Sequence, residues 1–236
     1  YTPGSVFKVV TTAAAIETLP ALDSRTFTCN GSVVINGNQI NCLATHGQID
    51  FKTALSHSCN VVFGELAVEL GEEKMTEMAN QMGFNTSFEF DGIHTAKSVY
   101  QVKGASDDAL AWSGIGQYTD LANPMHMAIL MGAVANGGTP VLPHFVESIT
   151  TSFGLVTRMG YLQEGERMLS ASTADRLKGY LRNNVSSYYG DNLFPSGMEV
   201  CAKTGTAEVG EGKAPTGWMI GFSANSATPY AFAVAV

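Results

Sequence analysis

The opening of the chain constrains its fold more than any other stretch. A Pro-Gly pair interrupts the incoming backbone, and the apolar run that follows predicts a buried helix over residues 5–18. Ser5 lies at the N-terminus of this helix, and Lys8 lies three residues later on the same face. The pattern therefore places a hydroxyl and an amine at a helix end whose unpaired N–H groups and dipole favour developing negative charge.

This Ser-x-x-Lys pair indicates nucleophilic catalysis, but the pair alone is not specific. A serine is a poor nucleophile until a neighbouring base removes its proton. Lys8 could be that base only if burial or a nearby cation lowers its pKa from about 10.4. Because a capping serine followed by a surface lysine gives the same spacing, the assignment needs further motifs.

Two such motifs follow along the chain. Ser58 and Asn60 stand two residues apart, and Lys203 opens a Lys-Thr-Gly-Thr sequence before two strand-like runs. Each motif is short. The ordered set Ser-x-x-Lys, Ser-x-Asn and Lys-Thr-Gly is nevertheless specific, and it is typical of penicillin-binding proteins and class A β-lactamases.

The chain closely resembles the transpeptidase domain of class B penicillin-binding proteins over nearly its whole length. Besides the three motifs, the resemblance includes residues 42–47, 114–117, 135–138 and 216–222. It implies an α+β fold in which an antiparallel sheet with helices packs beside a mainly helical lobe, with the active site between them. We expect one domain over residues 1–236, with the helical lobe at residues 44–190 and the α/β lobe at residues 1–20 and 191–236.

Periodicity and breaker residues give a coarse secondary structure that agrees with this fold. Helices are predicted over residues 51–56, 61–70, 72–82, 125–135 and 172–182, and strands over residues 199–208, 218–222 and 230–236. A hairpin is predicted within residues 23–44, irregular chain over residues 84–108, and extended chain over residues 141–153.

The resemblance assigns a role to each motif residue. Ser5 is the nucleophile, and Lys8 is the base that removes its proton. Lys203 supplies a second cation, which keeps Lys8 neutral because two like charges in one low-dielectric cleft cannot both stay protonated. Ser58 passes a proton towards the leaving group, and the Asn60 amide holds Lys8 and a substrate peptide bond.

The third motif adds substrate-binding groups. On a strand, Thr204 and Thr206 face one side, where two hydroxyls could bind a substrate carboxylate, while Lys203 and Gly205 face the other. Gly205 allows the strand to lie close to its neighbour. The resemblance implies that the backbone N–H groups of Ser5 and Thr206 form an oxyanion hole.

The main functional prediction is a D,D-transpeptidase that cross-links peptidoglycan. Ser5 would attack the D-Ala-D-Ala amide of a stem peptide, and β-lactams would acylate the same serine. A D,D-carboxypeptidase, a serine β-lactamase and a non-catalytic β-lactam sensor domain are alternatives. A class A β-lactamase is less favoured, because Cys59 replaces its aspartate and no Glu-x-x-Leu-Asn sequence occurs.

Composition limits the partners. An apolar fraction of 45% with 14% charged residues is typical of an ordered globular protein. The net charge of −8 does not indicate the positively charged surface that nucleic acid binding requires. The five histidines show no metal-ligand spacing, so His46 and His57 are assigned structural roles, and no metal or cofactor is expected. The resemblance implies peptidoglycan stem peptides, β-lactam antibiotics and cell-wall synthesis proteins as partners.

Four cysteines require separate interpretations. Cys29 and Cys42 flank a segment with hairpin turn signals, so a disulfide between them is predicted for an oxidising compartment, with two free thiols as the alternative. Cys59 and Cys201, in or beside a motif, are predicted to be small buried side chains.

The resemblance also implies a location. Family members carry an N-terminal membrane anchor, a second domain, strands before the first motif and a helix after the last strand. We therefore expect a sequence truncated at both ends, soluble as given, from a protein anchored at the extracytoplasmic face of the bacterial plasma membrane. The longest apolar stretch, residues 127–135, is far short of the ~20 residues of a membrane span.

Overall fold

The computed structural model describes residues 1–208, 210, 212 and 214–236. The α-helices are α1 (Lys8–Thr18), α2 (Phe51–Ser56), α3 (Asn60–Gln81), α4 (Asp107–Gly114), α5 (Pro124–Ala135) and α6 (Ala171–Asn184). The strands are β1 (Thr26–Cys29), β2 (Ser32–Ile35), β3 (Asn38–Asn41), β4 (Gly47–Asp50), β5 (Glu89–Phe90), β6 (Ile93–His94), β7 (Val141–Leu142), β8 (Ser148–Thr150), β9 (Val156–Met159), β10 (Gln163–Glu164), β11 (Val200–Ala207), β12 (Thr216–Ser223) and β13 (Ala231–Ala235). Shorter helical turns are Gly4–Phe7, Leu22–Ser24, Val185–Tyr189 and Asp191–Leu193.

The main sheet is antiparallel, in the order β11-β12-β13. Its register places Lys203 opposite Ile220 and Gly205 opposite Trp218. Trp218 is buried, and its indole N–H donates to the Thr2 carbonyl at 2.9 Å, which ties the sheet to the start of the chain. All three strands of this sheet lie where the sequence predicts them. The remaining strands form the two-stranded antiparallel pairs β1-β4, β2-β3, β5-β6, β7-β10 and β8-β9.

Helix α1 lies at the centre of the core. Every residue from Lys8 to Ile16 is buried, as expected for a helix that is apolar around its whole circumference. It packs against α3 and α6, while α4 packs on α3. Helices α5 and α6 contact the sheet, although they fall within residues 44–190, the expected helical lobe. The lobe boundaries stay a prediction.

Helix boundaries follow local chemistry. The Asp50 side chain accepts the Thr53 N–H at the start of α2, and the Ser170 hydroxyl accepts the Thr173 N–H at the start of α6. Pro124 occupies the first turn of α5, as its sequence predicts. No helix in the described part of the chain is both long enough and apolar enough to cross a bilayer.

The sequence predicts the division of α3 but not α4. The segments predicted as separate helices at residues 61–70 and 72–82 are the two halves of α3, which are separated by the non-helical Gly71 with φ +79°. Helix α4 was missed, because its first residues fall in the stretch predicted as irregular. Helix α4 is only eight residues long, so it shows no long periodic pattern of apolar residues. Its residues Leu110 and Ala111 are nevertheless buried in the core.

The predicted Cys29–Cys42 disulfide is wrong: the four cysteines, all within the described residues, are free thiols. The hairpin between the two residues does form, through β2 and β3. However, the Cys42 sulfur lies 3.8 Å from the Cys59 sulfur and accepts the Asn60 backbone N–H at 3.3 Å. Cys59 and Cys201 are buried, as predicted.

A glycine contact fixes the turn that carries Ser5. The Gly4 N–H donates to the Gly116 carbonyl at 2.8 Å, and Gly116 has φ +82°. A Cβ on Gly116 would overlap the Gly4 carbonyl. Gly116→Ala should therefore lower the free energy of unfolding by about 2 kcal/mol or more, because it combines left-handed strain with overpacking. Denaturant unfolding measures this change.

Gly104→Ala is the matched control. Gly104 has φ +72°, but no heavy atom lies within 4 Å of an added Cβ, so only the left-handed strain of about 1–2 kcal/mol applies. Equal losses of stability in the two variants would contradict the role of the Gly4–Gly116 contact.

Candidate active site

The three motifs meet at one cleft of about 600 Å³. The predicted residues that line it are Ser5, Ser58, Asn60, Thr204, Gly205 and Thr206. Lys8 and Lys203 are fully buried, and their amines reach the same side chains from within the protein. The structure therefore brings all eight predicted site residues together.

The Lys8 amine is the centre of this arrangement. Its Nζ lies 3.1 Å from Ser5 Oγ, 2.6 Å from the Ser58 carbonyl oxygen, 3.2 Å from Ser58 Oγ and 2.7 Å from Asn60 Oδ1. An ammonium has three protons and no lone pair. A neutral amine can donate to the two closest acceptors, the Ser58 carbonyl and Asn60 Oδ1, and accept the Ser5 hydroxyl proton. The geometry thus suits a base next to the nucleophile.

Lys203 approaches from β11. Its Nζ donates to Ser58 Oγ at 3.0 Å and to the Thr204 carbonyl at 2.7 Å. The Ser58 hydroxyl therefore lies between two amines. It is in a position to pass a proton between Lys8 and the cleft.

Burial is the main influence on both lysines. Desolvation lowers the pKa of Lys8 to about 7. The pKa of Lys203 also falls well below its usual value, because of burial first and the charge of Lys8 second. The predicted second amine is present, but burial, and not a charge on Lys203, is what lowers the pKa of Lys8.

The second motif lies in the tight turn between α2 and α3. The Ser58 N–H donates to the Leu55 carbonyl at 3.1 Å, and the Cys59 N–H donates to the Ala54 carbonyl at 2.9 Å. Ser58 itself has φ +55°, a conformation that is rare for residues other than glycine. Such strain persists only where the surroundings fix the backbone, and it is common at functional sites.

The third motif has the predicted strand alternation. Thr204 and Thr206 are exposed to the cleft, whereas Lys203 is buried. A Cβ on Gly205 would lie 2.9 Å from the Val6 backbone nitrogen. Glycine at this position therefore lets β11 lie directly against the turn that carries the nucleophile.

Some cleft residues were not predicted from the sequence. The Tyr189 hydroxyl lies 3.3 Å from the Thr204 nitrogen and 3.2 Å from Thr204 Oγ1. Gln117, the last residue of the 114–117 segment, donates its N–H to the Trp112 carbonyl at 3.0 Å and also lines the cleft. No motif marks Tyr189, because it reaches Thr204 only where the helical turn Val185–Tyr189 packs on β11.

A cluster beside the second motif was also missed. Cys29, Cys42, His46 and Cys59 place their three sulfurs and one ring nitrogen within 4.8 Å of one another, in an arrangement that could hold a metal ion. His46, which is assigned a structural role from the sequence, is one of these four residues. The sequence feature that indicates this cluster is the presence of three cysteines and a histidine within residues 29–59.

Comparison with known proteins identifies the family. A model of the penicillin-binding protein transpeptidase domain matches residues 1–236. Peptidoglycan D,D-transpeptidase PbpA of Mycobacterium tuberculosis is 28% identical over 251 residues, and stage V sporulation protein D of Bacillus subtilis is 28% identical over 223 residues. These matches cover 100% and 90% of this chain, but only 50% and 34% of the two relatives. The chain thus spans half or less of the length of these curated relatives.

Solved structures share the fold. The D,D-transpeptidase domain of a peptidoglycan glycosyltransferase from Eggerthella lenta gives a TM-score of 0.90 at 28% identity, covering 100% of this chain and 60% of that one. An imipenem acyl-enzyme complex of penicillin-binding protein A from M. tuberculosis gives 0.91 at 26% identity, covering 100% and 55%. The predicted α+β fold is confirmed, and the chain belongs to the family of penicillin-binding protein transpeptidase domains.

Proposed function

We propose that this chain is the catalytic domain of a peptidoglycan D,D-transpeptidase that forms an acyl-enzyme at Ser5. The observation that carries the proposal is the 3.1 Å contact between Ser5 Oγ and the fully buried Lys8 amine. A buried amine with a lowered pKa supplies the base that a serine nucleophile requires. The relative PbpA is named a peptidoglycan D,D-transpeptidase, and solved neighbours include acyl-enzyme complexes with imipenem and penicillin G, which supports the same reaction.

Acylation begins when neutral Lys8 accepts the Ser5 proton. Ser5 Oγ bonds to the carbonyl carbon of the D-Ala-D-Ala amide, and the backbone N–H groups of Ser5 and Thr206 hold the oxyanion. The carbon–nitrogen bond then breaks. The leaving D-Ala amine receives a proton from Lys8 through Ser58, whose hydroxyl lies 3.2 Å from the lysine.

The acyl group then passes to an amine of a second stem peptide. This amine attacks the ester carbon, Lys8 takes up the amine proton through Ser58, and Lys8 returns a proton to Ser5 Oγ as the ester bond breaks. In the earlier acylation step, Thr204 and Thr206 hold the terminal carboxylate of the D-Ala-D-Ala peptide. The Asn60 amide keeps Lys8 in position, since its oxygen accepts from the lysine at 2.7 Å.

The proposal extends to the whole protein. Its substrates are peptidoglycan stem peptides, its inhibitors are β-lactams, and it works with cell-wall synthesis proteins while anchored at the extracytoplasmic face of the bacterial plasma membrane. With water instead of an amine as the acceptor, the same site would be a D,D-carboxypeptidase. Turnover of a D-Ala-D-Ala peptide with and without an acceptor amine separates these activities from each other and from a β-lactam sensor.

Covalent labelling tests the nucleophile. A penicillin should add one adduct per chain, mapped by peptide mass spectrometry to Ser5, and Ser5→Ala should abolish it because the attacking oxygen is gone. Thr206→Ser, which keeps a hydroxyl in the cleft, is the control and should still be labelled. An adduct that persists in Ser5→Ala would reject the assignment.

The two lysines should respond differently to arginine. Lys8→Arg should reduce acylation by at least about a hundredfold, because a guanidinium does not release its proton in proteins. Lys203→Arg keeps the positive charge and should retain part of the rate. Stopped-flow acylation with a fluorescent penicillin measures both, and an equal, complete loss would contradict this division of roles.

The acylation rate should also depend on pH. Lys8 must be neutral to accept a proton, so the rate should rise as the pH increases through about 7. A rate that falls as the pH rises through this region would exclude neutral Lys8 as the base.

Deacylation should be slow. Hydrolysis of the acyl-enzyme needs a base that activates water, and a glutamate is this base in class A β-lactamases. Here Asp91 accepts hydrogen bonds from two backbone N–H groups, and Asp108 binds Asn38 Nδ2 at 2.7 Å, so both are engaged elsewhere. Within the described part of the chain, Glu208 is the carboxylate that lines the cleft.

A penicilloyl adduct on Ser5 should therefore persist for minutes to hours when followed by intact mass after removal of free drug. Glu208→Gln is the control, and it should leave this lifetime unchanged. Regeneration of free enzyme within seconds would move the protein to the β-lactamases.

A further inference from the structure

The cluster of Cys29, Cys42, His46 and Cys59 is assembled from three places in the chain. Cys29 ends β1, Cys42 follows β3, His46 precedes β4, and Cys59 precedes α3. Cys29 and Cys59 are fully buried, and the other two residues are half-buried. Four potential ligands thus converge on one point from three separate segments.

Two distances within the cluster match those of a tetrahedral zinc site. With Zn–S bonds of ~2.3 Å and Zn–N bonds of ~2.0–2.1 Å, tetrahedral geometry requires S···S separations of about 3.8 Å and S···N separations of about 3.6 Å. The Cys42 and Cys59 sulfurs lie 3.8 Å apart, and Cys42 Sγ lies 3.6 Å from His46 Nδ1. We propose that these four residues bind one Zn²⁺ ion.

The ligand chemistry favours zinc and a structural role. Thiolates and imidazole suit zinc, whereas Mg²⁺ and Ca²⁺ prefer oxygen ligands. Four protein ligands fill a tetrahedral shell and leave no open position for substrate, unlike a catalytic zinc site. Binding releases the thiol protons to solvent, and a neutral imidazole with three thiolates around Zn²⁺ leaves a net charge of −1.

A hydrogen bond already links the cluster to the catalytic cleft. The Asn60 N–H donates to the Cys42 sulfur at 3.3 Å, which is the kind of outer contact that orients a metal ligand. The Asn60 side-chain amide donates to the Asn41 carbonyl at 2.9 Å. Cys59 is the middle residue of the second motif. The ion would therefore hold Ser58 and Asn60 against the loop that forms one wall of the cleft.

Metal analysis tests the proposal directly. The protein should be purified without a metal-affinity step and its zinc measured by inductively coupled plasma mass spectrometry, with about one ion expected per chain. Replacement by Co²⁺ should give the strong visible bands of tetrahedral thiolate coordination. Both readouts use the unaltered chain, so they do not depend on how well a variant folds.

Variants then identify the ligands. Cys42→Ser and His46→Ala should lose most of the zinc, whereas Cys201→Ser, which removes the buried cysteine outside the cluster, should keep it. A zinc-free protein with a Cys42–Cys59 disulfide in non-reducing peptide maps would overturn the proposal. So would zinc content that is unchanged in both ligand variants.

The link to catalysis rests on the proposed function and is tested separately. Removal of zinc with a chelator should slow penicillin labelling of Ser5, and added Zn²⁺ should restore it. Ser5→Ala should bind zinc normally although it cannot be labelled, so failure of one proposal is distinguishable from failure of the other. If zinc has no effect on the rate of labelling, the ion does not position the second motif for catalysis, but the zinc site itself is not excluded.

Discussion

The buried amine of Lys8 sets the requirement that the rest of the site must meet. Burial of an amine is costly unless its polar partners are buried with it. Lys8 finds them in Ser5, on its own helical turn, and in Ser58 and Asn60, about fifty positions away. Helix α1 and the α2–α3 turn are therefore held in one relative position. The same interaction that stabilises the lysine also places a base beside the nucleophile.

The parts of this site that are local in sequence could be predicted. Ser5 and Lys8 share one helical turn, and the alternation along β11 determines which groups of the third motif face the cleft. Contacts set by tertiary packing could not be predicted. Tyr189 reaches Thr204 only because the helical turn Val185–Tyr189 packs on β11, and short α4 carries no strong periodic signal.

The cysteines show how proximity in sequence misleads. The turn signals between Cys29 and Cys42 correctly predict a hairpin, and the disulfide is inferred from that hairpin. A hairpin brings backbones together, but it does not determine where each sulfur points. The Cys42 sulfur turns to Cys59 and His46, which come from the next segments of the chain. The second motif is thus held on one side by a lysine and on the other by a thiol cluster.

The position of the nucleophile depends on backbone contacts as much as on side chains. The Gly4 N–H binds the Gly116 carbonyl, and Gly205 lets β11 approach the Val6 nitrogen. At both contacts a Cβ would occupy the space that the neighbouring backbone fills. Backbone contacts of this kind cannot relax by a change of rotamer, so they fix the Ser5 turn relative to Thr206. Since a displacement of about 1 Å can cost about a hundredfold in rate, rigid glycine contacts are a direct way to hold an attacking oxygen near an oxyanion hole.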